Sequence, residues 1–171
     1  MSGVLPFVYV PPVATANPFL TMTTPATSLR TGWTDWIGMY FNPRSSMTIT
    51  ALGRWIAAGN TLSITLGLFD IANVQQRSAV LDPTLTAPGQ FGYATLATPI
   101  VLPANSEWYC GFLPPSQNVS EAWLDLGSTF SWTADVASVV AAYWDSDFLS
   151  WQVTGSSGNA YGIPNFLYTV P

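Results

Sequence analysis

The sequence predicts an all-β fold, an antiparallel β-sandwich or jelly roll with an extended proline-rich N-terminal arm. Three observations predict it. Apolar residues recur at every second position over short stretches, turn-forming residues separate those stretches, and no helical segments alternate with them. The 24 aromatic residues (8 Trp, 7 Tyr, 9 Phe) fit the same picture, because two stacked sheets need large side chains to fill a layer ~10 Å thick. A chain of 171 residues is the size of one domain and is long enough for a real core.

Residues 1–32 hold five of the 14 prolines (Pro6, Pro11, Pro12, Pro18 and Pro25) and a Thr-rich stretch over 21–27, a composition that favours an extended arm over a sheet strand. The sandwich is then expected over 33–171. Its first strand reads at 36–41. In the next, Met47–Trp55, the residues Met47, Ile49, Ala51 and Trp55 share one face and Thr48, Thr50 and Arg54 the other, with Leu52 the exception. Leu62, Ile64, Leu66 and Leu68 repeat the alternation, and Ala58-Gly59-Asn60 between the two strands predicts a hairpin. Further strands read at 79–81, 91–96, 100–102, 108–113, 122–126, 138–144 and 165–170. Pro88-Gly89, Pro103-Ala104-Asn105 and the Gly/Ser-rich stretch 155–159 separate them. Over 134–142 the alanines favour a helix, but Val136, Val139 and Val140 favour a strand, and a strand is expected.

Charge is scarce: four arginines, no lysine, no histidine and nine acids give a net charge of −5. No basic patch exists to neutralise phosphates, so a nucleic-acid partner is not expected. No run approaches the ~18 apolar residues of a membrane helix, so no membrane partner is expected either. Residues 4–14 are apolar but broken by prolines and lack a basic leader, so export by a signal peptide is not expected. The lone Cys110 cannot form an intramolecular disulfide; among Trp108, Tyr109, Gly111 and Phe112 it reads as a buried, inert thiol. Trp55 and Trp108 are likewise assigned to the core.

Without histidine, Ser-His-Asp and Cys-His catalysis is impossible. A glycosidase needs only two facing carboxylates, yet the nine acids are scattered, as solvated turn and edge residues would be. Asp145-Ser146-Asp147 supplies too few oxygens by itself for a Ca²⁺ site and reads as a turn. No catalytic residue, metal or cofactor is therefore assigned. Arg54 is expected to cover the sheet face and pair with an acid. The candidate binding site is a glycan platform on Trp144, Asp145, Asp147 and Trp151, with Trp123 and Trp132 upstream: rings stack on a sugar face and carboxylates accept its hydroxyls. Core burial or a subunit contact is the competing reading of those rings. The sequon Asn118-Val119-Ser120 is short enough to arise by chance and carries no weight.

From Thr34 onward the chain resembles a family. Ala51-Leu52-Gly53-Arg54-Trp55 with Ala58-Gly59-Asn60, then 89–94 (GQFGYA) with Leu96-Ala97-Thr98-Pro99, then Gly158-Asn159-Ala160-Tyr161-Gly162 with Asn165, Phe166 and Tyr168, are similar to bacterial extracellular β-sandwich accessory domains in the style of carbohydrate-binding modules. The resemblance implies a jelly-roll accessory domain without catalysis. Pro114-Pro115-Ser116-Gln117, where that family carries more acidic and polar residues, is a departure that weakens glycan binding.

Two function classes follow. The favoured one is a non-enzymatic structural protein of a virion surface, such as a phage capsid decoration or tail-associated protein, made in the host cytoplasm and partnered by other copies of itself and by virion proteins. The alternative is a glycan-binding module of a bacterial surface or secreted protein.

Overall fold

The computed structural model describes residues 15–115, 121–124, 127–134, 136–145, 151–154 and 160–171, with 143–145 and 151–154 described as strand backbone. The first part of the expected arm (1–14), the sequon, Asp125, Asp135 and Asp147 lie outside the described residues. In chain order the strands are β1 (Asn17–Pro18), β2 (Leu20–Thr24), β3 (Leu29–Arg30), β4 (Ile37–Pro43), β5 (Met47–Trp55), β6 (Ile64–Asp70) and β7 (Gln75–Leu81). After a single 3-10 turn, Pro83–Leu85, come β8 (Phe91–Leu102), β9 (Trp108–Leu113), β10 (Trp123–Leu124), β11 (Thr129–Trp132), β12 (Ala137–Asp145), β13 (Trp151–Thr154) and β14 (Pro164–Thr169).

Every strand pairing among the described residues is antiparallel. A four-stranded sheet runs β1-β14-β5-β8 and a six-stranded sheet runs β13-β12-β4-β9-β6-β7; β10 pairs with β3 and β11 with β2 in two small ribbons. The two large sheets enclose one core. Ile49, Leu52 and Phe166 of the first meet Met39, Phe41, Leu68 and Phe112 of the second, all buried. The all-β sandwich expected from alternation is therefore present, and the Ala/Val stretch resolves as strand β12.

Three local expectations need correction. First, β5 and β6 do not form a hairpin: Asn60 N–H donates to the Ala57 carbonyl at 3.2 Å and Gly59 takes φ +88°, but the turn carries the chain from one sheet to the other. Turn residues specify a reversal, and the pairing partner of each strand is chosen by the core. Second, the pairing of β5 is irregular between Ile49 and Ala51 on both sides: Thr50 is an extra residue against β14, and against β8 the longer excursion is in β8, where residues 96–99 lie opposite Thr50. Met47 and Ile49 point inward before the bulge, and Leu52 and Arg54 after it. Leu52, the exception to strict alternation, marks this flip. It sends Arg54 into the core and turns Trp55 outward, where it is half-buried with its ring edge-on to Phe91 at 5.2 Å. Third, residues 17–30 of the expected extended arm contribute the short strands β1, β2 and β3. Phe19 and Leu20 are buried, and Phe19 stacks on Phe166 at 4.7 Å with the rings 5° from parallel.

Asn165 explains how that segment is held. Its Oδ1 accepts from Leu20 N–H (2.9 Å) and Phe166 N–H (2.8 Å), while Nδ2 donates to the Leu20 carbonyl (2.9 Å) and the Tyr93 hydroxyl (2.8 Å). One buried amide thus stands in for a missing stretch of ladder.

Cys110 is buried as expected, between the sheets. Desolvation pushes its thiol from 9.0 up to about 12. Through that window the unfolded chain has lost a proton that the folded chain keeps, so this thiol's contribution to stability is present below pH 9 and is lost as pH rises toward 12. Native Cys110 is expected to resist a thiol reagent that labels the urea-unfolded chain at once, and Cys110→Ala should flatten the alkaline limb of a pH–stability profile. Equal labelling rates in the two states would contradict its burial.

Candidate functional site

Among the described residues, a cluster around Arg54 is buried and structural. Arg54, fully inaccessible after the β5 bulge, places its guanidinium 4.6 Å from the Phe112 ring centre. Its Nη2 donates to Asn60 Oδ1 (2.5 Å) and to the Ala122 carbonyl (3.3 Å), and lies 3.8 Å from Glu121 Oε2. Burial pulls the guanidinium down to about 10, against the opposing pull of the Glu121 charge, so Arg54 stays charged at neutral pH. Glu121 Oε1 accepts from Thr61 N–H (2.6 Å) and Leu62 N–H (2.7 Å), while Asn60 Nδ2 donates to the Ala122 carbonyl (3.0 Å). The expectation that Arg54 pairs with an acid holds, but between the sheets and not on their outer face.

This cluster fixes the segment leading into β10, and β10 builds a cleft. Arg30 pairs in register with Trp123, bringing β3 alongside β10. Gly162 N–H donates to the Leu124 carbonyl (2.9 Å), and Tyr161 N–H to the Gly38 carbonyl (3.2 Å). Gly162 takes φ +62°, and a Cβ there would strike the Phe112 ring at 2.3 Å, so only glycine lets this turn close against β10. The resulting cleft, about 380 Å³, is lined by Arg30, Thr31, Trp33, Ile37, Trp123 and Tyr161. Trp123 and Tyr161 form buried walls, Trp33 is half-buried, and Arg30 and Thr31 form an exposed rim. The Arg30 guanidinium lies over the Tyr161 ring, 5.4 Å from its centre.

A second surface feature lies where the edges of the two large sheets meet. Strand β7 ends the six-stranded sheet and β8 ends the four-stranded one; Arg77 Nε bridges them by donating to the Thr98 carbonyl at 3.0 Å. Between them runs a groove of about 560 Å³ whose lining includes Val80, Asp82, Leu85, Thr86, Tyr93 and Ala94. Val80 is 66% and Leu85 83% exposed, unusual for large aliphatic side chains. Strand β8, 12 residues long, carries no charged residue.

The glycan platform expected from sequence is only partly visible. Trp144 and Asp145 end β12 and Trp151 begins β13, with Asp145 opposite Trp151 and Trp144 opposite Gln152 at an edge of the six-stranded sheet. Asp147 lies outside the described residues. Other acids have structural roles: Asp70 Oδ1 accepts from Ala72 and Val74 N–H, Asp82 caps the 3-10 turn through Thr84, and Glu107 accepts from the Tyr40 hydroxyl. The sequence reading missed Trp33 and Tyr161 as wall residues. Their available signals were an aromatic set among polar neighbours (Thr31, Thr34, Asp35) and a glycine directly after a tyrosine. No family model matches the chain, and no curated protein matches it.

Proposed function

We propose that this chain is a non-enzymatic structural module that assembles on a particle surface, a virion protein of the capsid-decoration or tail-associated kind, through the β7/β8 edge. One observation carries the reading: a long edge strand without charge borders a groove from which Val80 and Leu85 project into solvent. Proteins that stay monomeric blunt such edges with charge, proline or bulges; on this side Arg77 is the one charged residue of β7, its head turned onto the Thr98 carbonyl, and the blunting of β8 is confined to Pro99 and the irregular pairing over 96–99. A second copy laid against this edge covers both the apolar side chains and the unpaired backbone groups. The engagement of Asp70, Asp82, Glu107 and Glu121 in turns and clamps supports a role without catalysis. In a density gradient of particles from the native source, the chain is expected to co-sediment with the particles, and added Val80→Lys/Leu85→Lys protein should stay at the top. Wild-type protein found only in the unassembled fraction would overturn the reading.

The alternative, an extracellular carbohydrate-binding module of a bacterial surface or secreted protein, draws on the motif resemblance and on the aromatic cleft.

A further inference from the structure

We infer that Phe7, Val8, Tyr9 and Val10 of one copy add to the β7/β8 edge of a neighbouring copy as an extra strand beside β8, so that copies join head to tail. The inference rests on the assembly reading and deepens it, by naming the element of the second copy that covers the edge.

The backbone of β8 offers a place for such a strand. Ile56 N–H donates to the Gln90 carbonyl at 2.9 Å, while Trp55 N–H turns the other way, to the Ile163 carbonyl at 3.1 Å. Bonded and non-bonded pairs alternate along an antiparallel ladder, so Arg54/Gly92 and Leu52/Ala94 are the next bonded pairs of β5 with β8. Tyr93 and Thr95 therefore direct their own N–H and C=O groups to the opposite side, where no described strand pairs with β8.

The chemistry of the groove argues for the occupant. Val80 and Leu85 project from it into solvent, and the Asp82 carboxylate is already engaged by the Thr84 N–H (2.9 Å) and hydroxyl (2.6 Å). The matching ligand is uncharged, apolar and extended. Residues 1–14 contain no charged side chain, and 7–10 are all β-branched or aromatic, the types that suit a pleated, half-buried surface. Pro6 and Pro11 bound that run and, lacking N–H groups, end the added ladder. A strand this short fits the stretch Phe91 to Thr95, over which β8 is regularly paired before its excursion at 96–99.

The origin of the segment points to a neighbour's groove. Strands β1 and β8 are the opposite edges of the four-stranded sheet, three inter-strand steps or ~14 Å apart. Traced back from Asn17, opposite Tyr168, the chain runs toward Thr169, the end of β14. Residues 1–14 reach up to ~46 Å when extended, enough to pass from one copy's β1 edge to the next copy's β8 edge. Donor and acceptor lie on different edges, so the contact is heterologous: each copy gives one strand and receives one.

Two full-length variants test this by sedimentation velocity, with circular dichroism verifying that each folds. Val8→Pro removes an N–H from the donated strand and is expected to abolish the self-association of the wild type. Val80→Lys/Leu85→Lys spoils the groove and is expected to be monomeric too. Mixed in equal amounts, the two should form a 1:1 dimer that grows no further, because the intact segment of one meets the intact groove of the other. An excess of a synthetic peptide of residues 1–14 carrying a lysine tail should return wild-type assemblies to monomers, and the same peptide with Val8→Pro should not. Association of Val8→Pro equal to wild type, no dimer in the mixture, or no effect of the peptide would each overturn the inference and leave assembly through the β7/β8 edge standing. A mixture that stays monomeric while Val8→Pro protein binds the peptide would put the segment in its own copy's groove, and equally overturn it. A wild-type chain that is monomeric at every concentration would remove the assembly reading itself, and the inference with it.

Discussion

Glu121→Ala is expected to cost ~3–5 kcal/mol of stability, because it leaves the inaccessible Arg54 guanidinium without its counter-charge. The same change strips the acceptor from Thr61 and Leu62 N–H, which sit on the crossing between the two sheets. For a chain of this size that corresponds to a melting temperature lowered by roughly 6–20 °C. Glu121→Gln separates the two contributions: an amide oxygen still accepts from the crossing, while the charge is gone, so its cost should be smaller. Chemical denaturation of the three proteins measures this. A loss under about 1 kcal/mol for Glu121→Ala would mean that Arg54 reaches water, contrary to its burial.

Phe19→Ala is the second large effect, again ~3–5 kcal/mol, from the cavity left when a fully packed ring is deleted. The ring stacks on Phe166 and lies 6.1 Å from Phe41, so its removal opens the centre of the core. This variant discriminates sharply between composition and structure. Had residues 17–30 been an external arm, the substitution would be nearly silent, and a denaturation midpoint equal to that of wild type would return them to that status. Trp108→Ala should cost a similar amount, while Trp55→Ala should cost clearly less, since the β5 bulge has turned Trp55 to the outer side.

These two residues also show what alternation conveys and where it stops. The bounds of Met47–Trp55 and Trp108–Leu113 were legible to the residue, the first from the alternation that opens it, the second from an unbroken apolar run that the fold buries almost throughout. The bulge at Thr50 was legible only as an irregularity at Leu52. Once a residue is inserted, every later side chain changes face, and sequence alone does not say which of two parities faces the core. Residues 17–30 misled for a different reason. Proline disfavours interior strands but is tolerated at edges, and Pro18 sits on the edge strand β1, so its presence marked a boundary of the sheet and not an exit from the fold.

The aromatic cleft was hidden more deeply. Arg30, Trp33, Trp123 and Tyr161 are separated by up to 131 positions and converge only through the β3–β10 ribbon and the turn at Gly162. No local pattern encodes that convergence. The apolar groove at the β7/β8 edge was invisible for a related reason: alternation identifies a strand but not whether it lies at a sheet's centre or rim.

Sedimentation velocity of the full chain over a hundredfold range of concentration tests the assembly account most directly. Wild-type protein is expected to shift toward larger species as concentration rises, and Val80→Lys/Leu85→Lys to sediment as a monomer throughout. A wild-type chain that stays monomeric across the whole range, or a double variant that associates as wild type does, would contradict assembly through the β7/β8 edge.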